Sequence, residues 1–145
     1  MGRGNQLIQD QLKNKILYFA VLVFSLSFCV SCKEGIAQEE ETIEMVTPDE
    51  AEKLSKMKDV KLLDVRTKEE FNEGHIANAQ NLVYDENFSE KIGKLDKEKP
   101  VIVYCKSGGR SEKCAQILKD SGFVKVYDIK GGITEWKFEG KNTEK

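Results

Sequence analysis

Cys105 stands where an apolar stretch gives way to a short polar loop, and the loop ends at Arg110. The segment reads Val101-Ile-Val-Tyr-Cys-Lys-Ser-Gly-Gly-Arg-Ser111. A free cysteine has a pKa of about 8.5, and its thiolate form is the nucleophile. Because a helix amino terminus and nearby cations both lower that pKa, the spacing predicts a reactive thiolate that works by covalent catalysis.

The loop after the cysteine supplies consecutive backbone N–H groups, those of Lys106, Ser107, Gly108, Gly109 and Arg110. Gly108 and Gly109 permit the backbone angles with which such groups curl around an anion. We expect Lys106 and Arg110 to add positive charge at the rim of this cradle. The pattern therefore favours a small anionic sulfur donor such as thiosulfate, and a charged persulfide on Cys105 with a thiol or cyanide as acceptor.

Strand-like and helix-like stretches alternate along the rest of the chain and would position this loop. Strands are predicted over residues 42–47, 60–65, 79–83, 100–104 and 124–129. Helices are predicted over residues 48–58, 67–74, 85–95 and 111–121, with a last one that opens at Gly131-Gly132 and carries Trp136. This order predicts an α/β fold with an about five-stranded, mainly parallel central sheet flanked by short helices. Ligands of such sheets bind beyond the carboxyl ends of the strands, where Cys105 lies.

Composition excludes several function classes. The net charge is −2, which gives no support for nucleic-acid binding. His75 is the single histidine, so a zinc site built on several histidines is excluded, and no metal or cofactor is predicted. The four cysteines are Cys29, Cys32, Cys105 and Cys114, and they do not form the dense framework of a disulfide-stapled domain.

The amino-terminal segment has the pattern of an export signal. Arg3, Lys13 and Lys15 precede an apolar run over residues 16–30, which is shorter than the about 20 residues that span a membrane. The end of the run resembles a bacterial lipoprotein signal, which implies lipidation of Cys32. We therefore expect a signal peptide over residues 1–31, a polar tether over residues 32–41 and a location at the periplasmic face or outer membrane. A plain signal peptide cut near Ala37 and an uncleaved anchor are the alternatives.

Three motifs in order resemble the rhodanese family of single-domain type. The loop from Cys105 to Ser111 is similar to the active loop of that family. The upstream signature corresponds to Leu63-Asp-Val-Arg66, Glu70-Phe71 and Gly74-His-Ile76, and the closing signature to Gly131-Gly132 with Trp136 behind them. One departure is Ala77-Asn-Ala79, where the family often has proline and glycine. The resemblance implies a rhodanese-like domain over residues 42–139, followed by a carboxyl-terminal tail over residues 140–145.

The resemblance implies roles for individual residues. It makes Cys105 the catalytic nucleophile and residues 106–110 the substrate cradle. Asp64, Arg66 and Ser111 are expected to support the site, with the first two bonded to each other or to the backbone. Cys114 lies on the apolar stripe of a predicted helix, so it is expected to fill the core, and a resolving thiol is the alternative. His75 is expected to fix a turn rather than to act as a base.

Two other function classes compete with sulfur transfer. Phosphatases and arsenate reductases of related folds use loops that resemble Cys-x5-Arg, whereas four residues separate Cys105 from Arg110 here. The shorter loop predicts a cradle too small for a tetrahedral phosphate ester. The other alternative is a binding module that presents a surface to a partner without turnover. The intact cysteine and its loop argue against that alternative.

Overall fold

The computed structural model describes residues 42–145, and their elements alternate between strand and helix. The strands are β1 (Ile43–Val46), β2 (Lys61–Asp64), β3 (Gln80–Asn81), β4 (Val101–Tyr104) and β5 (Val126–Ile129). The helices are α1 (Pro48–Ser55), α2 (Lys68–Glu73), α3 (Phe88–Ile92), α4 (Gly109–Asp120) and α5 (Gly132–Phe138). The sheet has the order β1-β5-β4-β2-β3, and all its neighbouring strands are parallel. The predicted α/β class and five-stranded sheet are therefore confirmed.

The central strand β4 is apolar on both faces because helices cover both sides of the sheet. Val101 and Val103 pack with α3 and α4 in one core cluster, and Ile102 and Tyr104 pack with α1 and α5 in another. All four residues are buried. This two-sided burial is the reason that β4 reads as a continuous apolar run, and it places Cys105 firmly at the carboxyl edge of the sheet.

Two helices begin with the same arrangement, a capping box, and both carry its sequence pattern Thr-x-x-Glu. In α1 the hydroxyl of Thr47 accepts from the N–H of Glu50, and the Glu50 carboxylate accepts from the N–H of Thr47 at 2.8 Å. In α2 the pair is Thr67 and Glu70, with the Thr67 N–H donating to the Glu70 carboxylate at 3.0 Å. Each of these capping boxes provides hydrogen-bond acceptors for two N–H groups that the helix itself leaves unpaired.

Three helices differ in length from their predictions. The helix α1 ends at Ser55 rather than near residue 58. The helix α3 starts only at Phe88, because the carboxylate of Asp85 accepts from the N–H of Asn87 and forms a turn there. The helix α4 starts at Gly109, two residues before its prediction, since the N–H of Glu112 already donates to the carbonyl of Gly108 at 2.9 Å. The loop after Cys105 is correspondingly tighter than predicted.

The tail after α5 packs back onto the domain. The backbone of Glu144 exchanges two hydrogen bonds with His75, at 2.8 and 2.9 Å. The indole N–H of Trp136 donates to the carbonyl of Asn142, and Lys141 forms ion pairs with acidic groups of α1. His75 also bonds the carbonyl of Phe71 through Nδ1 at 3.1 Å. These contacts agree with the predicted role of His75 in fixing a turn.

The predictions for the amino-terminal segment lie outside the described residues. They comprise the signal peptide over residues 1–31, lipidation at Cys32 and the tether over residues 32–41, and they stay predictions. Within residues 42–145, no helix is long and apolar enough to cross a membrane.

Candidate active site

Cys105 directly follows β4, and its sulfur is enclosed by the loop that leads into α4. The N–H of Gly108 donates to Sγ of Cys105 over 3.1 Å. Gly108 reaches this position with a φ of 108°, which side-chain-bearing residues rarely adopt. Only 1% of the surface of Cys105 is exposed, so the sulfur lies at the bottom of the loop. Gly108 is therefore a member of the predicted curl of N–H groups whose N–H reaches the sulfur.

The loop favours the charged form of the thiol. Burial by itself raises the pKa of Cys105, but the N–H groups of Ser111, Gly108 and Ser107, together with the Ser111 hydroxyl, outweigh that effect. The pKa of Cys105 therefore lies below its ordinary value. No ring nitrogen of a histidine contributes, so the sulfur is activated by hydrogen-bond donors rather than by a neighbouring base.

Arg110 lies beside Cys105, and its charge is already paired. Its guanidinium donates to both carboxylate oxygens of Glu70, from Nη1 over 2.7 Å and from Nη2 over 2.8 Å. Glu70 above all, and the nearby Cys105 to a lesser extent, raise the pKa of Arg110. Glu70 is thus both the last member of the α2 capping box and the holder of Arg110. Sequence reasoning did not find the second of these roles.

Replacing Glu70 with glutamine is expected to release Arg110 from Cys105. Arg110 holds the pKa of Glu70 at about 2, below the usual value of about 4.3, so the pair stabilises the fold at neutral pH and is lost as pH falls towards 2. Since the pair is partly exposed, Glu70→Gln should lower the free energy of unfolding by only about 1 kcal/mol. The sulfur transfer expected from the sequence should fall about tenfold because Arg110 is no longer held in place.

Glu50 provides a matched control for that substitution. It closes the same type of capping box on α1, and among the described residues it has no arginine partner. Glu50→Gln should lower the melting temperature slightly and leave sulfur transfer unchanged. Steady-state assays and thermal melts of both variants make the comparison. Equal losses of activity in the two variants would show that the Glu70–Arg110 contact does not matter to the site.

The start of α5 supports the loop after Cys105 through hydrogen bonds to its backbone. The N–H of Ile133 donates to the carbonyl of Cys105 at 2.9 Å, and Thr134 donates to the carbonyl of Lys106 through both N–H and Oγ1. Gly132 lies so close to this backbone that a β-carbon there would overlap the Cys105 carbonyl oxygen. Sequence reasoning did not find Ile133 or Thr134, although the Gly131-Gly132 pair was the signal of a close backbone approach.

Asp64 and Arg66 bind each other, as expected, at the carboxyl end of β2. The guanidinium of Arg66 donates to the carboxylate of Asp64 at 2.6 Å and to the carbonyl of Gly74 at 2.9 Å. The Tyr104 hydroxyl accepts from the N–H of Ile76 at 3.1 Å, and burial together with the nearby Asp64 carboxylate raises the pKa of that hydroxyl. This buried network fixes the strand before Cys105. The support is indirect, because it acts through β4 and the turn at Gly74.

The remaining predicted residues divide between the rim and the core. Lys106 and Ser107 are exposed at the rim. Ser111 is fully buried, and its hydroxyl donates to the carbonyl of Gly108 at 2.9 Å. Cys114 is a free, fully buried thiol in the core cluster on the α4 side, and burial raises its pKa to about 12. These properties agree with the predicted core position of Cys114.

Comparison with known proteins gives relatives for the whole described domain. The thiosulfate sulfurtransferase GlpE of Coxiella burnetii is 44% identical over 88 residues, which are 61% of this chain and 81% of that protein. The uncharacterized protein YibN of Escherichia coli is 29% identical over 136 residues, covering 92% of this chain and 93% of that one. The crystal structure of a rhodanese-related protein from Thermoplasma volcanium has a TM-score of 0.62 at 29% identity, and covers 70% of this chain and 97% of that chain.

A family model also matches most of the chain. The model of the rhodanese-like domain covers residues 47–139, which include every strand of the sheet except β1, the loop after Cys105 and all of α5. The predicted family is therefore confirmed. The chain belongs to the rhodanese-like domain family.

Proposed function

We propose that the protein is a sulfurtransferase that moves a sulfane sulfur from a thiosulfate-like donor to a thiol or cyanide through a persulfide on Cys105. The observation that carries the proposal is the enclosure of the Cys105 sulfur by backbone donors, with Gly108 N–H at 3.1 Å. The thiosulfate sulfurtransferase named among the relatives supports the same reaction class. The same donors that stabilise a thiolate also stabilise the charged end of a persulfide.

The reaction divides into two displacements at sulfur. The Cys105 thiolate attacks the outer sulfur of the donor, its S–S bond breaks, and sulfite leaves with the bonding electron pair. The enzyme then carries Cys–S–S⁻. An acceptor thiolate or cyanide attacks the terminal sulfur, and the electron pair of the broken bond returns to Cys105 as thiolate. Neither step needs an outside oxidant or reductant, and the order predicts ping-pong kinetics.

The size of the loop supports sulfur transfer over phosphate chemistry. Gly108 already donates to the Cys105 sulfur, and α4 begins at the next residue. Few residues therefore remain to surround a bound group. Because only 1% of the surface of Cys105 is exposed, a single sulfane sulfur atom can reach its Sγ more easily than a tetrahedral phosphate ester can.

Mass spectrometry after incubation with thiosulfate tests the proposal. The protein should gain about 32 Da, and cyanide should reverse the gain with release of thiocyanate. Trypsin separates the two cysteines of the domain, since it cuts after Lys106, Arg110 and Lys113. After capping with iodoacetamide, the extra sulfur should be found in the peptide that ends at Lys106 and not in the one that contains Cys114.

Each alternative function gives a different result in the same samples. No gain of sulfur, together with hydrolysis of an aryl phosphate or reduction of arsenate, would refute the proposal in favour of oxyanion chemistry. Absence of both the sulfur gain and the phosphate or arsenate turnover would refute the proposal in favour of a domain that binds a partner without turnover. Extra sulfur found on Cys114 instead would contradict the assignment of the nucleophile.

A further inference from the structure

Asp128 is a buried carboxyl group that the sulfur-transfer steps do not use. It lies in β5, where its neighbours in register are Met45 on β1 and Val103 on β4. Only 5% of its surface is exposed, and its Oδ1 is buried without a hydrogen-bond partner among the described residues. A buried carboxylate oxygen without a partner is costly to the fold, so this one calls for an explanation.

The charge of Asp128 is not paired within the part of the chain that the structure describes. No lysine, arginine or histidine of residues 42–145 forms an ion pair with it. The single proton of the Ser111 hydroxyl is committed to the carbonyl of Gly108, at 2.9 Å. Burial raises the pKa of Asp128 to about 6, an effect that the Ser111 hydroxyl offsets only in part, and the carboxyl is therefore mainly ionised at neutral pH.

The small exposed part of Asp128 opens onto a groove of about 560 Å³ between β1 and α4. The surface of the groove is mostly apolar, with Ile43 and Met45 from β1 and Ala115 from α4. Met45 is 65% exposed there. Sites for small molecules have volumes of about 300–1,000 Å³, with apolar walls and few polar groups. No residue of the loop 105–110 lines the groove, so it is separate from the active site.

The polar groups of the groove favour a ligand that is positively charged and donates hydrogen bonds. Glu112 adds a second carboxylate to that of Asp128. The amide of Gln116 donates from Nε2 to Asp120 at 2.8 Å, which leaves its Oε1 as an acceptor. Lys113 is the single positive charge among the lining residues, and its side chain is exposed to solvent. An ammonium group supplies the charge and the donors that these acceptors lack.

We infer that this groove is a binding site for a small organic cation with an apolar stem, such as a primary alkylammonium. The stem lies against Ile43, Met45 and Ala115, and the ammonium donates to the carboxylate of Asp128. The Cβ–Cγ torsion is soft in aspartate, so a small rotation turns Oδ1 towards the ligand. The site does not depend on the role of Cys105 in sulfur transfer, so the two proposals stand or fall separately.

Methionine methyl signals test the inference in the full-length chain, which contains Met1, Met45 and Met57. Labelling with ¹³C-methyl methionine gives a probe in the groove, Met45, and an exposed reference outside it, Met57. On titration with n-hexylammonium chloride, the Met45 signal should shift saturably, with half-saturation on the order of 1 mM. The Met57 signal should not shift. An unmoved Met45 signal, or parallel shifts of both signals, would overturn the inference.

The neutral analogue hexan-1-ol separates recognition of charge from apolar contact. It should bind about tenfold more weakly than hexylammonium, and Asp128→Asn should remove that preference. Glu112→Gln is the matched control, since it neutralises an exposed carboxylate of the same groove. Because water screens Glu112, this variant should weaken hexylammonium binding by less than about threefold. Equal losses in the two variants would show only a general attraction of cations to the surface, and would refute the site.

Met45→Lys covers the case in which Asp128→Asn fails to fold. Met45 and Asp128 are neighbours in register and both line the groove, so a lysine at position 45 places its own ammonium beside the carboxylate. Met45→Gln is the neutral counterpart. Met45→Lys should melt at a higher temperature than Met45→Gln and bind hexylammonium about tenfold more weakly, as followed by the methyl signal of Ala115. Equal melting temperatures or equal affinities in the two variants would contradict the inference.

Discussion

Cys105→Ser is expected to abolish sulfur transfer while leaving the fold intact. Removal of a nucleophile that forms the covalent intermediate costs about 10⁴-fold or more in turnover. Serine is close to cysteine in size, and its hydroxyl can still accept from the Gly108 N–H, so the melting temperature should change little. A hydroxyl at this position is not ionised by backbone donors alone, since its pKa is far above that of a thiol. The variant should also gain no mass with thiosulfate.

Cys114→Ala is the control for the loss of a thiol. Cys114 is fully buried in the cluster of β4 and α4 side chains, so its truncation should cost about 1 kcal/mol of stability through a small cavity. Sulfur transfer should stay within about threefold of wild type, because a thiol with a pKa near 12 is almost entirely protonated. Loss of persulfide formation in Cys114→Ala, or its survival in Cys105→Ser, would contradict the assigned roles.

The order of elements and the conformation of the loop after Cys105 could be predicted because they depend on neighbours in sequence. A capping box links residues three apart, as in Thr67 and Glu70, and a buried parallel strand such as β4 is a local apolar run. The curl of N–H groups around Cys105 is likewise local, since Gly108 is three residues away. The lengths of helices were less predictable, because side chains such as Asp85 form turns that compete with helix.

The parts of the site that sequence reasoning missed all join residues distant in the chain. Glu70 and Arg110 are 40 positions apart, and nothing in the spacing of either motif indicates that they meet. Thr134 reaches the Lys106 carbonyl across 28 positions. The fold brings these groups together because the carboxyl ends of parallel strands lie at one edge of the sheet.

The buried position of Asp128 in β5 could be recognised from the sequence. Alternation along β5 places it on the same face as Val126, which is fully buried. A carboxylate at an inward-facing position contradicts the pattern of a parallel strand, and such local conflicts concentrate at functional sites. The apolar residues of β5 alone predict a strand, and they assign no role to the polar residue within it.

Gly132→Ala is expected to be the most damaging substitution outside the catalytic cysteine. Gly132 has a φ of 58°, and a β-carbon there would overlap the Cys105 carbonyl oxygen and approach Lys106 atoms to 2.9 Å. The obstruction is backbone, so it cannot move aside as a flexible side chain would. Either α5 moves away from the loop or the loop moves. Both break the bonds from Ile133 and Thr134 to that backbone.

The expected loss of stability has two parts. A left-handed backbone costs an alanine about 1 kcal/mol, and displacement of packed backbone adds roughly 1–3 kcal/mol. Sulfur transfer should fall about 100-fold, because a shift of the Cys105 backbone misplaces the sulfur relative to its N–H donors. Thermal unfolding, together with the rate of persulfide formation in the folded fraction, measures the two effects separately.

Gly140→Ala isolates the backbone strain from the overlap. Gly140 has a φ of 75°, similar to that of Gly132, but a β-carbon there would meet no atom within 4 Å. It should lose only about 1 kcal/mol of stability and keep nearly full activity. If Gly132→Ala does no more harm than Gly140→Ala, α5 does not hold the catalytic loop. If Gly132→Ala loses activity without losing stability, the contact between α5 and the loop positions Cys105 more than it stabilises the fold.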